Sequence, residues 1–304
     1  MNPGPGIRCF DVLLPHGIQL ACRRAEGTEA IQRPRVLLLH GFPEAAFVWD
    51  EVLRLLAPDV AALAPNLRGY PGSSAPAEVA AYRAKPLVAD LVALIEHLGA
   101  PLDMLVAHDW GGALAWNLAA QRPDLLRRLL IINSPHPATF LRELRDNASQ
   151  QAASVYMNFL CRPDAQTLLA ERDFARLWPF FDGPDGPAPW LTDAVREQFR
   201  AAWGPGGCGL AAPLNYYRAS PLRPPVATDD AVCTLVMTDA AVTVNVPTTV
   251  LWGLQDKALL PGLLDGLERW VPQLTLQPLP QASHWMVHEQ PVTVAASIRA
   301  ALAR

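Results

Sequence analysis

The chain of 304 residues is 51% hydrophobic, enough to bury roughly three quarters of its unfolded surface in one or two domains. Its net charge of -4 comes from acids and bases scattered along the sequence, which excludes a basic footprint for nucleic acid or an anionic membrane surface. Five cysteines (Cys9, Cys22, Cys161, Cys208, Cys233) without CxxC spacing exclude a disulfide framework and a zinc site, so no metal and no cofactor is expected. Met1-Asn-Pro-Gly-Pro-Gly lacks a signal-peptide pattern and no apolar run reaches the roughly 20 residues that span a bilayer, so the expected compartment is the cytoplasm.

Residues 7–14 and 18–24 read as a hairpin around Pro15-His16-Gly17. Val36–His40 is a continuous apolar run of the kind expected for a strand covered on both faces. Phe47, Trp49, Val52, Leu53, Leu55 and Leu56 recur at helical spacing, Val60–Leu63 is extended, and 86–98 repeats apolar residues as a helix does. A strand at Met104–His108, a helix over 110–121 and a strand at Leu129–Ile132 complete an alternation that predicts a mostly parallel sheet with helices on both faces. The rhythm resumes with a strand at Thr248–Trp252, a helix over 261–270, a strand at Leu274–Leu279 and a closing helix over 291–303.

Residues 137–224 interrupt it with helix-like stretches at 147–160, 164–176 and 192–202 and connections rich in proline and glycine. A segment that long is not an ordinary loop. It reads as a helical lid, 137–224, inserted into a core domain made of 1–136 and 225–304.

Ala107-His108-Asp109-Trp110-Gly111 has the small residues that a strained strand-to-helix elbow requires, with Asp109 at its centre and alanine where glycine is usual. The amides at the start of the following helix favour an ionised carboxylate there. The plain alternative is that Asp109 only caps the helix. His40-Gly41-Phe42-Pro43 ends an earlier strand, and the backbone N–H groups of Phe42 and Trp110 are the candidate oxyanion hole. Asp256 follows a strand and His284 follows the last one, giving the chain order nucleophile, acid, histidine at carboxyl ends of parallel strands.

With these motifs the whole chain resembles the α/β-hydrolase superfamily and, within it, the epoxide hydrolases: His40-Gly-Phe-Pro43-Glu44, His108-Asp-Trp-Gly-Gly112, Pro135-His136-Pro137, Leu251-Trp-Gly, Asp256-Lys257 and His284-Trp-Met-Val-His-Glu-Gln-Pro291 all match. In the lid, Leu214-Asn-Tyr-Tyr-Arg218 resembles the motif whose tyrosine holds the epoxide oxygen, which maps onto Tyr217; its partner maps onto Tyr156. The resemblance implies an α/β-hydrolase fold, a small-molecule epoxide and water as reactants, and catalytic Asp109, Asp256, His284, Tyr156 and Tyr217. A carboxylate suits attack on a saturated carbon, and a phenol remains a donor at neutral pH. Phe42, Trp110, Met157 and Trp285 are the expected apolar pocket, suited to a lipophilic epoxide. The oligomer is expected to be a monomer or a homodimer.

The remaining polar and aromatic residues take plainer readings. His40 and His108 are expected to hydrogen-bond within their turns, His16, His97 and His288 to lie on the surface or on helices, and His136 to shape the approach to the lid. Tyr216 alternates in direction with Tyr217 if that stretch is extended, and reads as packing. Lys257 reads as a turn residue, and Trp178, Phe180 and Phe181 as core rather than pocket. Two rivals stay open: a haloalkane dehalogenase with the same nucleophile, disfavoured by Phe42 where that family has asparagine, and a non-catalytic ligand-binding relative, disfavoured by the intact set of three residues.

Overall fold

The computed structural model describes residues 5–28, 33–183, 186–207, 209–227 and 229–304. Cys208 and the centre of the proline-glycine connection at 184 and 185 lie outside the described residues. Eight strands form one sheet in the order β1-β2-β4-β3-β5-β6-β7-β8: Ile7–Leu13, Gln19–Ala25, Arg35–Leu39, Ala61–Pro65, Met104–His108, Leu129–Ile132, Thr248–Gly253 and Leu274–Leu279, numbered β1 to β8 along the chain. The β1–β2 hairpin and its join to β4 are antiparallel; the other pairs are parallel.

The central strands are those written as uninterrupted apolar runs. Leu37, Leu38, Leu39, Leu105, Val106 and Leu130 are wholly inaccessible, because helices cover both faces. Those helices are Asp50–Leu56 (α1), Ala84–Leu98 (α2), Asp109–Gln121 (α3) and, at the end of the chain, Pro291–Leu302, preceded by the single turn Met286–Glu289. Helix α2 buries Leu87, Leu91, Leu94 and Ile95, and ends at Gly99 with φ 87°, a left-handed cap that glycine adopts without strain.

Between β6 and β7 lie Pro137–Asp146 (α4), Ala148–Ala153 (α5), Tyr156–Leu160 (α6), Ala165–Phe174 (α7), Asp193–Trp203 (α8), Ala211–Ala219 (α9) and the turns Ala231–Thr234 (α10) and Asp239–Val242 (α11); the last two helices of the chain are therefore α12 and α13. Helix α4 was not expected. It starts at Pro137, capped by His136, and buries Phe140, Leu141 and Leu144 on one face. The helix expected over 147–160 is two helices, broken at Ser154, whose hydroxyl accepts from Gln150 Nε2 at 2.8 Å. The helix expected over 261–270 is two short 3-10 turns, Pro261–Leu264 and Leu267–Arg269, separated by Gly266 at φ 70°. The segment holding Tyr216 and Tyr217 is helical, so their side chains diverge by about 100° rather than alternating.

Candidate active site

β5 ends at His108 in extended geometry and the chain turns into α3 through Asp109 at φ 49°, a conformation an L-residue adopts only where its surroundings impose it. The surroundings are small residues. A Cβ on Gly111 would lie 2.6 Å from the carbonyl oxygen of His40 and 2.7 Å from Leu39 Cβ, and one on Gly41 would collide with the carboxylate of Asp109. Alanine at 107 is fully buried and fits. Ser134 Oγ donates to the carbonyl of Asp109 at 2.7 Å and helps to hold the turn.

The backbone N–H of Phe42 donates to Asp109 Oδ1 at 2.7 Å. Two side chains, His40 and Trp203, pin the turn carrying Phe42 through three hydrogen bonds. His40 donates from Nδ1 to the carbonyl of Gly41 at 3.0 Å while its Nε2 accepts from the Leu67 N–H at 3.1 Å, and Trp203 Nε1 donates to the carbonyl of Pro43 at 2.7 Å. Accepting a backbone N–H requires a neutral His40, and burial pushes its pKa down to about 4.

His284 Nε2 lies 3.7 Å from Asp109 Oδ2, and His284 Nδ1 lies 2.7 Å from Asp256 Oδ2. Burial opposes charge on this imidazole, but the attraction and hydrogen bond of Asp256, with Asp109 and Glu44 nearby, outweigh it and raise the pKa to about 9. Asp256 is buried with every lone-pair direction used. Oδ1 accepts from the N–H groups of Ala258 and Leu259 at 2.8 and 2.9 Å, and Oδ2 accepts from Asn133 Nδ2 at 2.7 Å besides facing His284. Burial alone would raise this carboxyl; His284, with those donors, holds it below the ordinary carboxylate value.

Tyr156 opens α6 and Tyr217 lies on α9, and these helices pack together above the elbow. The two phenol rings stand edge to face, with centroids 6.2 Å apart. The Tyr217 ring stands edge-on to Phe42 and Trp110, with centroids 5.2 and 5.0 Å away. Burial, reinforced for both by the negative charge of Asp109, raises both phenol pKa values, so both keep their protons at neutral pH. Tyr216 points elsewhere, donating to the carbonyl of Arg68 at 2.8 Å.

The structure thus brings Asp109, Asp256, His284, Tyr156, Tyr217 and the Phe42 amide to one place, while the four expected pocket residues divide. Trp110 and Met157 line a cavity of about 480 Å³, whereas Phe42 and Trp285 line a second of about 260 Å³; Asp109, Tyr156 and Tyr217 border both. Phe180 lines the smaller cavity as well, whereas Phe181 is core, stacked on Trp203. Lys257 does more than turn the chain, because its Nζ donates to the carbonyls of Asp182 and Gly183.

One group of residues had no expected role. Among the described residues, Glu44 is buried with no lysine or arginine paired to it. Its Oε2 meets His108 Nδ1 at 3.1 Å and its Oε1 meets His288 Nε2 at 2.8 Å, while His108 Nε2 donates to the carbonyl of His284 at 2.9 Å. Burial pushes Glu44 up, but the two histidines hold it well below the carboxylate range. His288 lies on α12, as one of its two expected placements had it, but not at the surface: it lies flat on Trp190, centroids 4.1 Å apart, and ties the 137–224 segment to the histidine loop. His108 bonds beyond its own turn, and His136 is an interior group, bonded to the carbonyl of Val242 at 2.8 Å, with its pKa lowered by burial to about 4. The sole signal for Glu44 is its place after His40-Gly-Phe-Pro43. Among the described residues no group of three or more His, Cys, Asp or Glu side chains could hold a metal ion, and no helix is long and apolar enough to cross a membrane.

Sheet order, the strained elbow after β5 and the residues gathered at the carboxyl ends of β3, β5, β7 and β8 define an α/β-hydrolase-fold protein, and a family model of that fold matches residues 34–291. The chain is 32% identical over 294 residues to the AB hydrolase superfamily protein YfhM of Bacillus subtilis, covering 95% of this chain and 96% of that one. It is 31% identical over 300 residues to epoxide hydrolase 4 of Mus musculus, covering 95% of this chain and 78% of the relative. Among solved structures, the Bacillus megaterium epoxide hydrolase in complex with an inhibitor superposes with a TM-score of 0.83 at 28% identity, over 97% of this chain and 100% of that chain. The chain belongs to the epoxide hydrolase family of the α/β-hydrolase superfamily.

Proposed function

We propose that this protein hydrolyses a lipophilic epoxide to a vicinal diol through an alkyl ester on Asp109. The observation that carries the reading is the facing arrangement of a carboxylate on a strained elbow and two protonated phenols, Tyr217 buried and Tyr156 partly buried, with Asp109 bordering the same cavities as both. In the first step Asp109 Oδ2, the oxygen that Phe42 leaves free, attacks an epoxide carbon. The C–O bond of the ring breaks, its electron pair goes to the oxygen, and Tyr156 and Tyr217 donate hydrogen bonds or a proton to that oxygen. In the second step His284, oriented by Asp256, takes a proton from water, and the hydroxide attacks the ester carbon of Asp109. Phe42 and Trp110 N–H groups hold the oxyanion; as it collapses the bond between the carboxyl carbon and Oδ2 breaks, His284 returns its proton to the leaving Oδ2 to complete the diol, and the proton left on the Asp109 carboxyl restores whichever tyrosine gave one up.

Residues 137–224 act as the lid that supplies both phenols, over a core of 1–136 and 225–304. The apolar linings of Phe42, Trp110, Met157 and Trp285 support a lipophilic substrate. A His284→Gln variant incubated with styrene oxide tests the reading by intact-protein and peptide mass spectrometry: a one-substrate adduct on Asp109 is expected, because the base acts only in the second step. Halide release from a haloalkane without diol formation would instead favour dehalogenation, and neither product would favour a ligand-binding relative.

A further inference from the structure

Helix α8 places Phe199 and Trp203 one turn apart on its buried face. There Trp203 joins an aromatic cluster drawn wholly from residues 174–203: its ring centroid lies 5.2 Å from Phe174, 4.8 Å from Trp178 and 5.0 Å from Phe199, and it stacks on Phe181 at 6.1 Å. The ring is anchored in the 137–224 segment, but its N–H is used elsewhere. Nε1 crosses to the core and donates to the carbonyl of Pro43 at 2.7 Å, and among the described residues no other group donates to that carbonyl, on a buried residue.

That bond bears on the amide that faces Asp109. The Phe42 N–H, 2.7 Å from Asp109 Oδ1, belongs to the Gly41–Phe42 peptide, whose carbonyl accepts from His40 Nδ1. Pro43, with φ fixed by its ring, leaves few free torsions between that amide and the Pro43 carbonyl. His40 therefore holds the turn from the core, and Trp203 holds it from the 137–224 segment. The same cluster reaches the loop of the base. Phe181, stacked on Trp203, lies 4.5 Å from the ring of Trp285, the residue after His284, and Trp285 Nε1 donates to the carbonyl of Phe180 at 2.9 Å.

We infer that Trp203 is a positioning residue for ester hydrolysis, aiming the Phe42 amide at the oxyanion that forms on Oδ1; the inference rests on the epoxide-hydrolysis reading. The two steps call on different groups. In alkylation, charge develops on the epoxide oxygen before Tyr156 and Tyr217 while Asp109 loses its own, so a well-aimed Phe42 amide does not lower that barrier. In hydrolysis negative charge returns to Oδ1, and the amide must already point at it. Trp203 thus serves the second step, from the segment whose tyrosines serve the first.

Trp203→Phe keeps an aromatic ring in the cluster and removes the N–H. Wild type and variant, each in excess over styrene oxide, are quenched in acid over a time course, and the Asp109 ester is followed by intact-protein and peptide mass spectrometry. Outright loss of an oxyanion donor costs about 100- to 1000-fold and a misaimed one costs less, so ester decay should slow at least about tenfold while alkylation stays within about threefold of wild type. In heavy-oxygen water a second heavy oxygen should enter the Asp109 peptide sooner than in wild type, because Oδ1 is held less firmly. Phe174→Leu, which loosens the same cluster and leaves the indole N–H, should change neither the ratio of the two rates nor the labelling. Equal slowing of both steps by Trp203→Phe, ester decay at the wild-type rate, or the same selective loss in Phe174→Leu overturns the positioning role and leaves the epoxide reading standing. Absence of an Asp109 ester even in His284→Gln overturns the reading beneath it. If Trp203→Phe does not fold, Trp203→Met, whose flexible side chain fills irregular space without an N–H, carries the same expectations.

Discussion

The N–H of Phe42 and Asp109 Oδ1 are 2.7 Å apart, while Oδ2 faces His284 Nε2 at 3.7 Å. The two oxygens of one carboxylate are therefore unequal. Oδ1 accepts from an amide that would stabilise it as an oxyanion, whereas Oδ2 accepts no hydrogen bond among the described residues, so in the proposed mechanism Oδ2 is the oxygen to attack. A Gly41 side chain would occupy this space, which explains glycine there.

Tyr217→Phe should slow ester formation at least about tenfold, roughly 1.4 kcal/mol in the barrier, because the developing alkoxide loses one of two donors. Folding should change little: the ring keeps its edge contacts with Phe42 and Trp110, and only the hydroxyl is lost. Tyr156→Phe should behave alike. Pre-steady-state alkylation at a wild-type rate in folded Tyr217→Phe removes that phenol from the reaction.

Much of this site was legible in the residues before any fold was known, and the reason is local. The elbow after β5 depends on Ala107, Gly111 and Gly112 within six positions, and Asp256 and His284 each follow a strand written as its own pattern. What was illegible depends on distant partners. Glu44, His108 and His288 form one buried group from three segments, and nothing in His288's own neighbourhood announces that it lies on Trp190. The split of Phe42 and Trp285 from Trp110 and Met157 likewise follows from Tyr156 and Tyr217, brought from α6 and α9, bordering both cavities with Asp109. The broken helix at 261–270 shows the reverse: its apolar spacing is helical, but Gly266 in left-handed geometry overrides it.

The hydrolytic step should accelerate with pH. His284 must be neutral to take a proton from water, and its pKa is about 9 where Asp109 is a free carboxylate. Esterification removes that negative charge, one of the causes of the elevation, so the apparent pKa of the hydrolytic step should lie between the ordinary histidine value of about 6.5 and about 9. Single-turnover decay of the ester between pH 6 and 10 measures it, on the order of one decade of rate per pH unit on the acid limb. A rate flat across that range would exclude His284 as the base.

Acid should destabilise the fold before its carboxylates titrate. Buried His40 and His136 have pKa values near 4, against about 6.5 in the unfolded chain, so below pH 6.5 the unfolded state binds more protons. The stability they contribute is present above pH 6.5 and is lost as pH falls toward 4, at up to about 1.4 kcal/mol per pH unit for each. His284, whose pKa is raised, is protonated in both states below 6.5 and adds no slope there. Urea unfolding at stepped pH should show a shallower slope in His136→Gln than in wild type, and equal slopes would refute the assignment.

The inequality of the Asp109 oxygens makes a labelling experiment specific. If Oδ2 forms the ester and water attacks the carboxyl carbon, cleavage of the acyl bond sends Oδ2 out with the diol, and the water oxygen stays on Asp109 while Oδ1 remains in its amide contact. With enzyme in excess in heavy-oxygen water, a single turnover should give mostly unlabelled diol and one heavy oxygen in the peptide containing Asp109. Direct attack of activated water on the epoxide would label the diol at once and leave the peptide light, which would return Asp109 to the role of helix cap or general base. Repeated turnover sharpens the test: as long as Phe42 keeps hold of Oδ1, each cycle exchanges the same oxygen, and the peptide should hold at one heavy oxygen before a second appears slowly through rotation of the carboxylate. Two heavy oxygens gained at equal rates would show that the Phe42 contact does not distinguish them.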